Sequence, residues 1–548
     1  MPTGWLDMMD ANEKFEDLEE DVFETFTERN PTFATHLGIH EYDDRLPEVT
    51  RERILEDIEL MEEWLDELRD FDDESLNEEN ELAKKLGIHI FEMNLFDLKV
   101  LKQWKQAPQA PNAIGASLLL LLKREFAPIE ERLESIISRI QKVPRMLEEE
   151  KARLEDPIKL WIDMAVESAE QLPMLFKLVQ MLGKEEGFDD DKMKDINEAT
   201  RKADEALDEY VEWLKEERRG AAEDYTLEEK TYEELLDKRE LDYNSQEILE
   251  IGEYLLEEAK DDMKKYAEKI DPELTVEEAV EKVESQTPDS FEDALGWYRE
   301  GLQDAKEFIQ KKNLATIPED EEIEVMETPE YMRNIIPFAA YISPAKFDDT
   351  KKGIYVVTPP HEEENLDNYS YWDVRNTTVH EGYPGHHLQL AAATTNDDVF
   401  RIFSHATETV EGWAHYCEEM MKDHGFDDTP EARLIQSKDV IWRAARIIVD
   451  VKLSTGKMSF EEAVEFLVDE VGMNERDAEK EVRRYTQNPA YQLSYLLGKK
   501  MIKELKEEVK EKMGDDFTEK FFHDTILYAG SVPIKYLREI FEKKIEDE

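Results

Sequence analysis

Apolar residues recur every three or four positions along most of this chain, and no other pattern restricts its fold as strongly. After Thr50, a candidate N-cap, they fall at Ile54, Ile58, Met61, Leu65 and Leu68, with acidic residues on the opposite face. A helical turn of 3.6 residues places such positions on one stripe, so the stretch predicts an amphipathic helix. The same spacing predicts helices over 129–155, 159–183, 193–217 and 245–270, and from Ser290, another candidate N-cap, to about 311.

Near 315 the texture changes. "EEIEVMETP", "IPFAAYISP" and "KKGIYVVTPP" are short β-rich runs bounded by prolines, and they predict a small sheet. Helical spacing returns over 377–395, 401–424, 431–453, 459–469, 474–486, 490–512 and 516–527. The 548 residues therefore read as an N-terminal helical region, 1–315, and a region, 316–548, that carries the sheet and the candidate site, together one continuous body.

Charge excludes several function classes. With 135 acidic against 69 basic residues the formal charge is -66, and such a surface repels phosphate backbones and anionic headgroups. Neither nucleic acid nor a membrane is an expected partner. Molar salt, with a Debye length of about 3 Å, would screen the self-repulsion, which predicts adaptation to a salty cytoplasm. The single cysteine, Cys417, rules out an internal disulfide, fits a reducing compartment and reads as a packed core thiol. The N-terminal "MPTGWLDMMDANEKFEDLEED" has neither the basic segment nor the apolar run of a secretory signal. The run "SLLLLL" at 117–122 is too short to cross a bilayer. These features predict a cytoplasmic protein.

Chemistry concentrates at 380–387, "HEGYPGHH". In a continuous helix, residues four apart share a face and two imidazoles so placed can hold one metal ion. Here the fourth position after His380 is Pro384. Were the helix unbroken, His386 would point about 120° away and His387 would lie about 10 Å off. Pro384 removes a donor and disfavours helix at Tyr383, while Gly385 permits unusual dihedrals, so "YPG" suits a bulge. A two-residue bulge returns His386 to the metal, and the motif becomes HExxH with Pro-Gly inserted. His387 is the alternative ligand if the bulge is larger, and otherwise a substrate-binding candidate. Glu411, in "ETVEGWAHYCEEM", is the candidate third ligand, flanked by the apolar bulk of Val410, Trp413 and Ala414. His415, one turn further, reads as a ligand, a support for one, or a packed residue.

Three protein ligands leave zinc an open position, where it lowers the pKa of water to about 7. Glu381 is placed to take the proton as general base. One zinc ion per chain is therefore expected, with amide hydrolysis as the reaction. In "RRYTQNPAYQLSYLLGKK", Arg484, Tyr491 and Tyr495 are candidates for binding a substrate carboxylate and an oxyanion. A metal-dependent hydrolase of non-peptide amides or esters, and a non-catalytic metal-containing peptide-binding protein, are the rival readings.

"HEGYPGHHLQ" at 380–389 and "EGWAHYCE" at 411–418 resemble the hallmark of the family catalogued as domain of unknown function 885 (DUF885). The likeness extends to "ATHLGIHEYDDRLPE" at 34–48, "TPEYMRNIIPFAAYISP" at 328–344, "RYTQNPAYQLSYLLG" at 484–498 and "ILYAGSVPIKYL" at 526–537. His415 and Ala490-Tyr491 depart from the pattern. Through that family the chain resembles zinc metallopeptidases of the neurolysin and Taq-carboxypeptidase type. The resemblance implies a mainly α, two-lobed body with a deep channel and a small antiparallel β-sheet near the active site. It also implies short peptides as substrates, with carboxypeptidase action slightly favoured and "GIYVVTP" at 353–359 pairing with the extended peptide.

Overall fold

Helices begin where the side chains can cap them. The Thr50 hydroxyl accepts the Arg53 amide at 3.1 Å and opens Arg51–Asp70; Ser290 does the same for Asp293 and opens Phe291–Lys312. The structure is a computed structural model and describes residues 10–328, 333, 339–348, 351–360, 366 and 369–547. Residues 1–9 of the N-terminal stretch, 329–332 and 334–338 of the family-like stretch, and 336–338 of the second β-rich run lie outside the described residues.

The fold is mainly α, as the periodicity predicts. The chain separates into two compact units, Met1–Tyr225 with Ala345–Asp349, and Thr226–Pro344 with Thr350–Glu548. In the first, α1 (Ile129–Arg153), α2 (Lys159–Glu185) and α3 (Asp190–Glu217) pack together. Their buried stripes include Leu133, Ile136 and Ile140 on α1 and Ile196, Ala203 and Leu207 on α3. Each of these leucine and isoleucine side chains removed from water contributes about 1.5–3 kcal/mol.

The second unit carries α4 (Ser245–Ile270), α5 (Phe291–Lys312) and the three strands. It also carries α6 (Tyr371–Glu381), α7 (His386–Ala393), α8 (Thr407–Asp423), α9 (Pro430–Ser454), α10 (Glu475–Gln487) and α11 (Ser494–Met513). The division falls at Tyr225, ahead of the change of texture near 315, because α4 packs along α9 and α5 along α6. Gly252 permits the first contact: a Cβ there would stand 2.8 Å from Ile447.

The sheet is mixed rather than antiparallel. β1 (Glu321–Glu327) runs parallel to β3 (Lys351–Val357), and β2 (Ala339–Ile342) runs antiparallel to β3, in the order β1-β3-β2. The central strand is β3, with Tyr355, Val356 and Val357 buried. Both of its edges are paired, so 353–359 cannot receive a peptide by strand addition; β1 and β2 are the edge strands. No helix among the described residues is long and apolar enough to cross a membrane; "SLLLLL" lies in Ala110–Lys123, 14 residues long.

Candidate metal centre

Every side chain of the histidine cluster is aimed by a break in the helix. α6 ends at Glu381, and α7 restarts at His386. The turn folds back so tightly that a Cβ on Gly385 would stand 1.8 Å from the His380 carbonyl oxygen, which leaves glycine as the residue that fits. The Gly385 amide donates to Val379 at 3.1 Å, and the Trp413 indole donates to the Pro384 carbonyl at 2.8 Å. The inserted turn therefore brings His386 back against His380, with ring centroids 4.8 Å apart and planes perpendicular.

Glu411 completes the convergence from α8. Its Oε2 lies 3.3 Å from His386 Nε2 and 3.8 Å from His380 Nε2. Glu381 belongs to the same group: ligand atoms of His380, Glu381 and His386 all lie within 4.8 Å of one another. Two carboxylates thus face the imidazole pair, and they differ in support. The Tyr491 hydroxyl donates to Glu411 Oε1 at 3.1 Å. Burial works against charge on Glu411, but the neighbouring imidazoles of His380 and His386 outweigh it and hold the carboxyl well below the usual range. Glu381 is half-buried at the helix end.

Behind His380, Nδ1 meets Glu418 Oε1 at 2.7 Å, which leaves Nε2 for the cluster. Asn376 Nδ2 donates to Glu418 Oε2 at 3.0 Å and to Asp439 Oδ2 at 2.8 Å, and Lys422 Nζ donates to Asn376 Oδ1 at 2.7 Å. Burial alone would strip His380 of its proton, yet Glu411, Glu418 and Glu381 push its pKa up to about 10. Three carboxylates therefore surround the His380 imidazole. His415 is fully buried beside Glu418, with Nδ1 3.3 Å from Oε1, and burial pushes its pKa down to about 4. It packs against the support of His380.

His387 turns away from the cluster. It is fully buried, with Nδ1 2.8 Å from the Tyr341 hydroxyl and Nε2 on Glu321 Oε2, so neither ring nitrogen is left for substrate or metal. Tyr383 and Lys306 hold Glu321 as well, each at 2.5 Å. Gly353 on β3 admits this contact, since a Cβ there would stand 2.6 Å from His387 Nδ1. The consequence is a fixed Tyr341, whose side chain lines the cavity of about 490 Å³ beside His380, Glu381, His386, Glu411 and Tyr495.

Arg484 is the other displaced candidate. Its Nη2 donates to Glu481 at 2.7 Å, and it is absent from the cavity wall, where Arg443 and Arg446 of α9 stand instead. Sequence reasoning misses Tyr341, Arg446 and Glu418. Only Glu418 had a local signal, since Glu411, His415 and Glu418 fall on one helical stripe.

The model of the family described as "Bacterial protein of unknown function (DUF885)" matches residues 31–540. The chain belongs to this family. This DUF885 member is also similar to two solved structures, described as "a putative lipoprotein of unknown function from Shewanella oneidensis" and "the putative lipoprotein from Colwellia psychrerythraea". The first is 22% identical with a TM-score of 0.80, covering 96% of this chain and 99% of its own; the second is 16% identical with a TM-score of 0.86, covering 99% and 100%. At these identities the likeness is one of fold. None of the curated proteins matches. Both neighbours are described as putative lipoproteins, a description that contradicts the expectation of a cytoplasmic protein.

Proposed function

We propose that this DUF885 protein is a zinc-dependent peptidase acting on short peptides, with one zinc ion held by His380, His386 and Glu411. One observation carries the reading. Two imidazole Nε2 atoms converge on Glu411 Oε2 at 3.8 and 3.3 Å, with the spare carboxylate of Glu381 in the same group. Two imidazoles and a carboxylate suit a zinc site with an open position, and Glu418 fixes the tautomer of His380 as ligation needs.

When bound, zinc supplies Lewis acidity at the scissile carbonyl and acidifies water. Glu381 accepts the proton of the attacking water and passes it to the leaving amine. Tyr495, on the cavity wall, supplies a hydroxyl donor for the developing oxyanion, while Tyr341 is engaged with His387 and Tyr491 acts through Glu411 by holding it. A peptide of a few residues suits a cavity of about 490 Å³ beside the edge strand β2, which carries Tyr341. A structural metal site has no use for a carboxylate such as Glu381 beside its ligands.

The test is metal content of protein purified without added metal, with hydrolysis of a short-peptide library before and after chelation. Glu381→Gln is expected to keep about one zinc per chain and lose 10²-fold or more in kcat, on the order of general-base catalysis. Full activity in Glu381→Gln would remove the mechanism, and cleavage that survives chelation would remove the metal from it.

A further inference from the structure

A hydroxyl that stabilises an oxyanion works only while its ring is held in place, because a displacement of about 1 Å can cost about 10²-fold in rate. The Tyr495 ring is half-buried on the cavity wall, and a residue of another helix lies against it. The guanidinium carbon of Arg446, on α9, stands 4.7 Å from the centre of the Tyr495 ring and 4.1 Å from that of Trp442. Arg446 is 5% exposed, so its contacts are made inside the protein. A guanidinium is flat and stacks on aromatic faces, which an ammonium group cannot do in the same way.

Arg446 is itself fixed by a closed ring of hydrogen bonds. Its Nε donates to the Tyr485 hydroxyl at 3.0 Å, that hydroxyl donates to Glu481 Oε2 at 2.8 Å, and the same oxygen accepts from Arg446 Nη2 at 3.1 Å. Two donors anchored on one edge set the plane of the guanidinium as well as its position. Arg484 Nη2 also donates to Glu481 Oε2, at 2.7 Å, and steadies the carboxylate from its other side. Tyr485, Glu481 and Arg484 all belong to α10. The edge of the guanidinium is thus spent on α10, and its face is left for the aromatic rings. Arg446 thereby joins α10 and α9 to the first turn of α11, where Tyr495 stands.

We infer that Arg446 is a positioning residue: held by its edge on Tyr485 and Glu481, it stacks on Tyr495 and keeps that hydroxyl aimed at the developing oxyanion. The inference rests on the peptidase reading and adds a residue to its machinery. It also gives Arg484 a place, as support for Glu481 and through it for Arg446, with no contact to substrate.

Position and turnover are measured apart. Arg446→Lys keeps the charge and removes the plane. A crystal structure of this variant reads the place of Tyr495 without any substrate, and the hydroxyl is expected to shift by about 1 Å or more, the scale at which catalysis is lost. Kinetics on short peptides reads the consequence. Tyr495→Phe is expected to lower kcat about 10²-fold. Arg446→Lys is expected to lower kcat about 10-fold, with KM within about twofold and zinc content unchanged, as for an interaction made only in the transition state. In the Tyr495→Phe background the same change is expected to cost nothing further, because no hydroxyl remains to be aimed. Glu481→Gln alters a more exposed residue and guards against misfolding at Arg446; it is expected to show the same two effects, smaller, and again to be silent without the Tyr495 hydroxyl. An unmoved Tyr495 in both variants overturns the inference, as do losses that multiply in the double variants, and either result leaves the peptidase standing. A displaced Tyr495 in a protein whose wild type hydrolyses no peptide sinks the peptidase and leaves Arg446 as the residue that places Tyr495.

Discussion

Glu381 and Glu411 face the same pair of imidazoles, and their surroundings separate their work. Glu411 is pinned by Tyr491 and held ionised by two histidines, as a ligand must be; Glu381 keeps a free, half-buried position at a helix end. His387 makes a similar point about residue type. Adjacent to a ligand in sequence, it is spent on Glu321 and Tyr341. That buried group gives a pH prediction. Burial opposes the charge on Glu321, but hydrogen bonds from His387, Lys306 and Tyr383 hold its pKa down to about 2, against an ordinary 4.5. A depressed carboxyl contributes stability that is present above its unfolded pKa and lost as pH falls through the folded value. Urea unfolding of the wild type and Glu321→Gln should therefore show the widest gap above pH 4.5, closing as pH falls toward 2. A gap that stays constant or widens on acidification would mean that Glu321 is not held ionised by this group.

At the scale of elements, the pair that matters most is α8 and α11, which cross where Gly412 meets Gly498. A Cβ on Gly498 would stand 2.1 Å from the Glu408 carbonyl oxygen, and one on Gly412 would stand 2.7 Å from Gly498 Cα. This crossing brings Tyr491, just ahead of α11, and Tyr495, on its first turn, beside Glu411. Gly498→Ala is expected to destabilise the protein by about 1–3 kcal/mol through overpacking and to weaken zinc binding by parting Tyr491 from Glu411. Thermal unfolding and zinc titration check the two effects; unchanged zinc affinity at lowered stability would detach the crossing from the site. Local pattern made the helices legible: 129–155 and 245–270 were expected where Ile129–Arg153 and Ser245–Ile270 stand, because a buried stripe repeats within each helix. "YPG" likewise announced its break in 377–395, since proline and glycine act on their own backbone. Strand order and the partner of Arg484 were not legible. Whether β3 lies at an edge, or Glu481 reaches Arg484, depends on residues distant in the chain or on rotamers chosen by packing.

Across the whole molecule, the feature that composition alone establishes is the excess of 135 acidic over 69 basic residues. Ion pairs such as Arg201–Glu205 and Lys215–Glu170 are exposed and each contribute little, so they do not offset the surplus. The remaining carboxylates repel one another over distances set by the Debye length, about 30 Å at 0.01 M and about 10 Å at 0.1 M salt. Repulsion of this kind destabilises the compact state, which brings the charges together, more than the unfolded chain. The melting temperature should therefore rise steeply with KCl at low concentration and flatten as the Debye length approaches about 3 Å near 1 M. Ion exclusion from the protein surface gives a different curve, a rise that continues in proportion to concentration. A steep early rise that saturates assigns the salt dependence to the acidic surface. A flat response below about 0.1 M, where screening changes most, would instead make the surface a solubility device with no hold on stability.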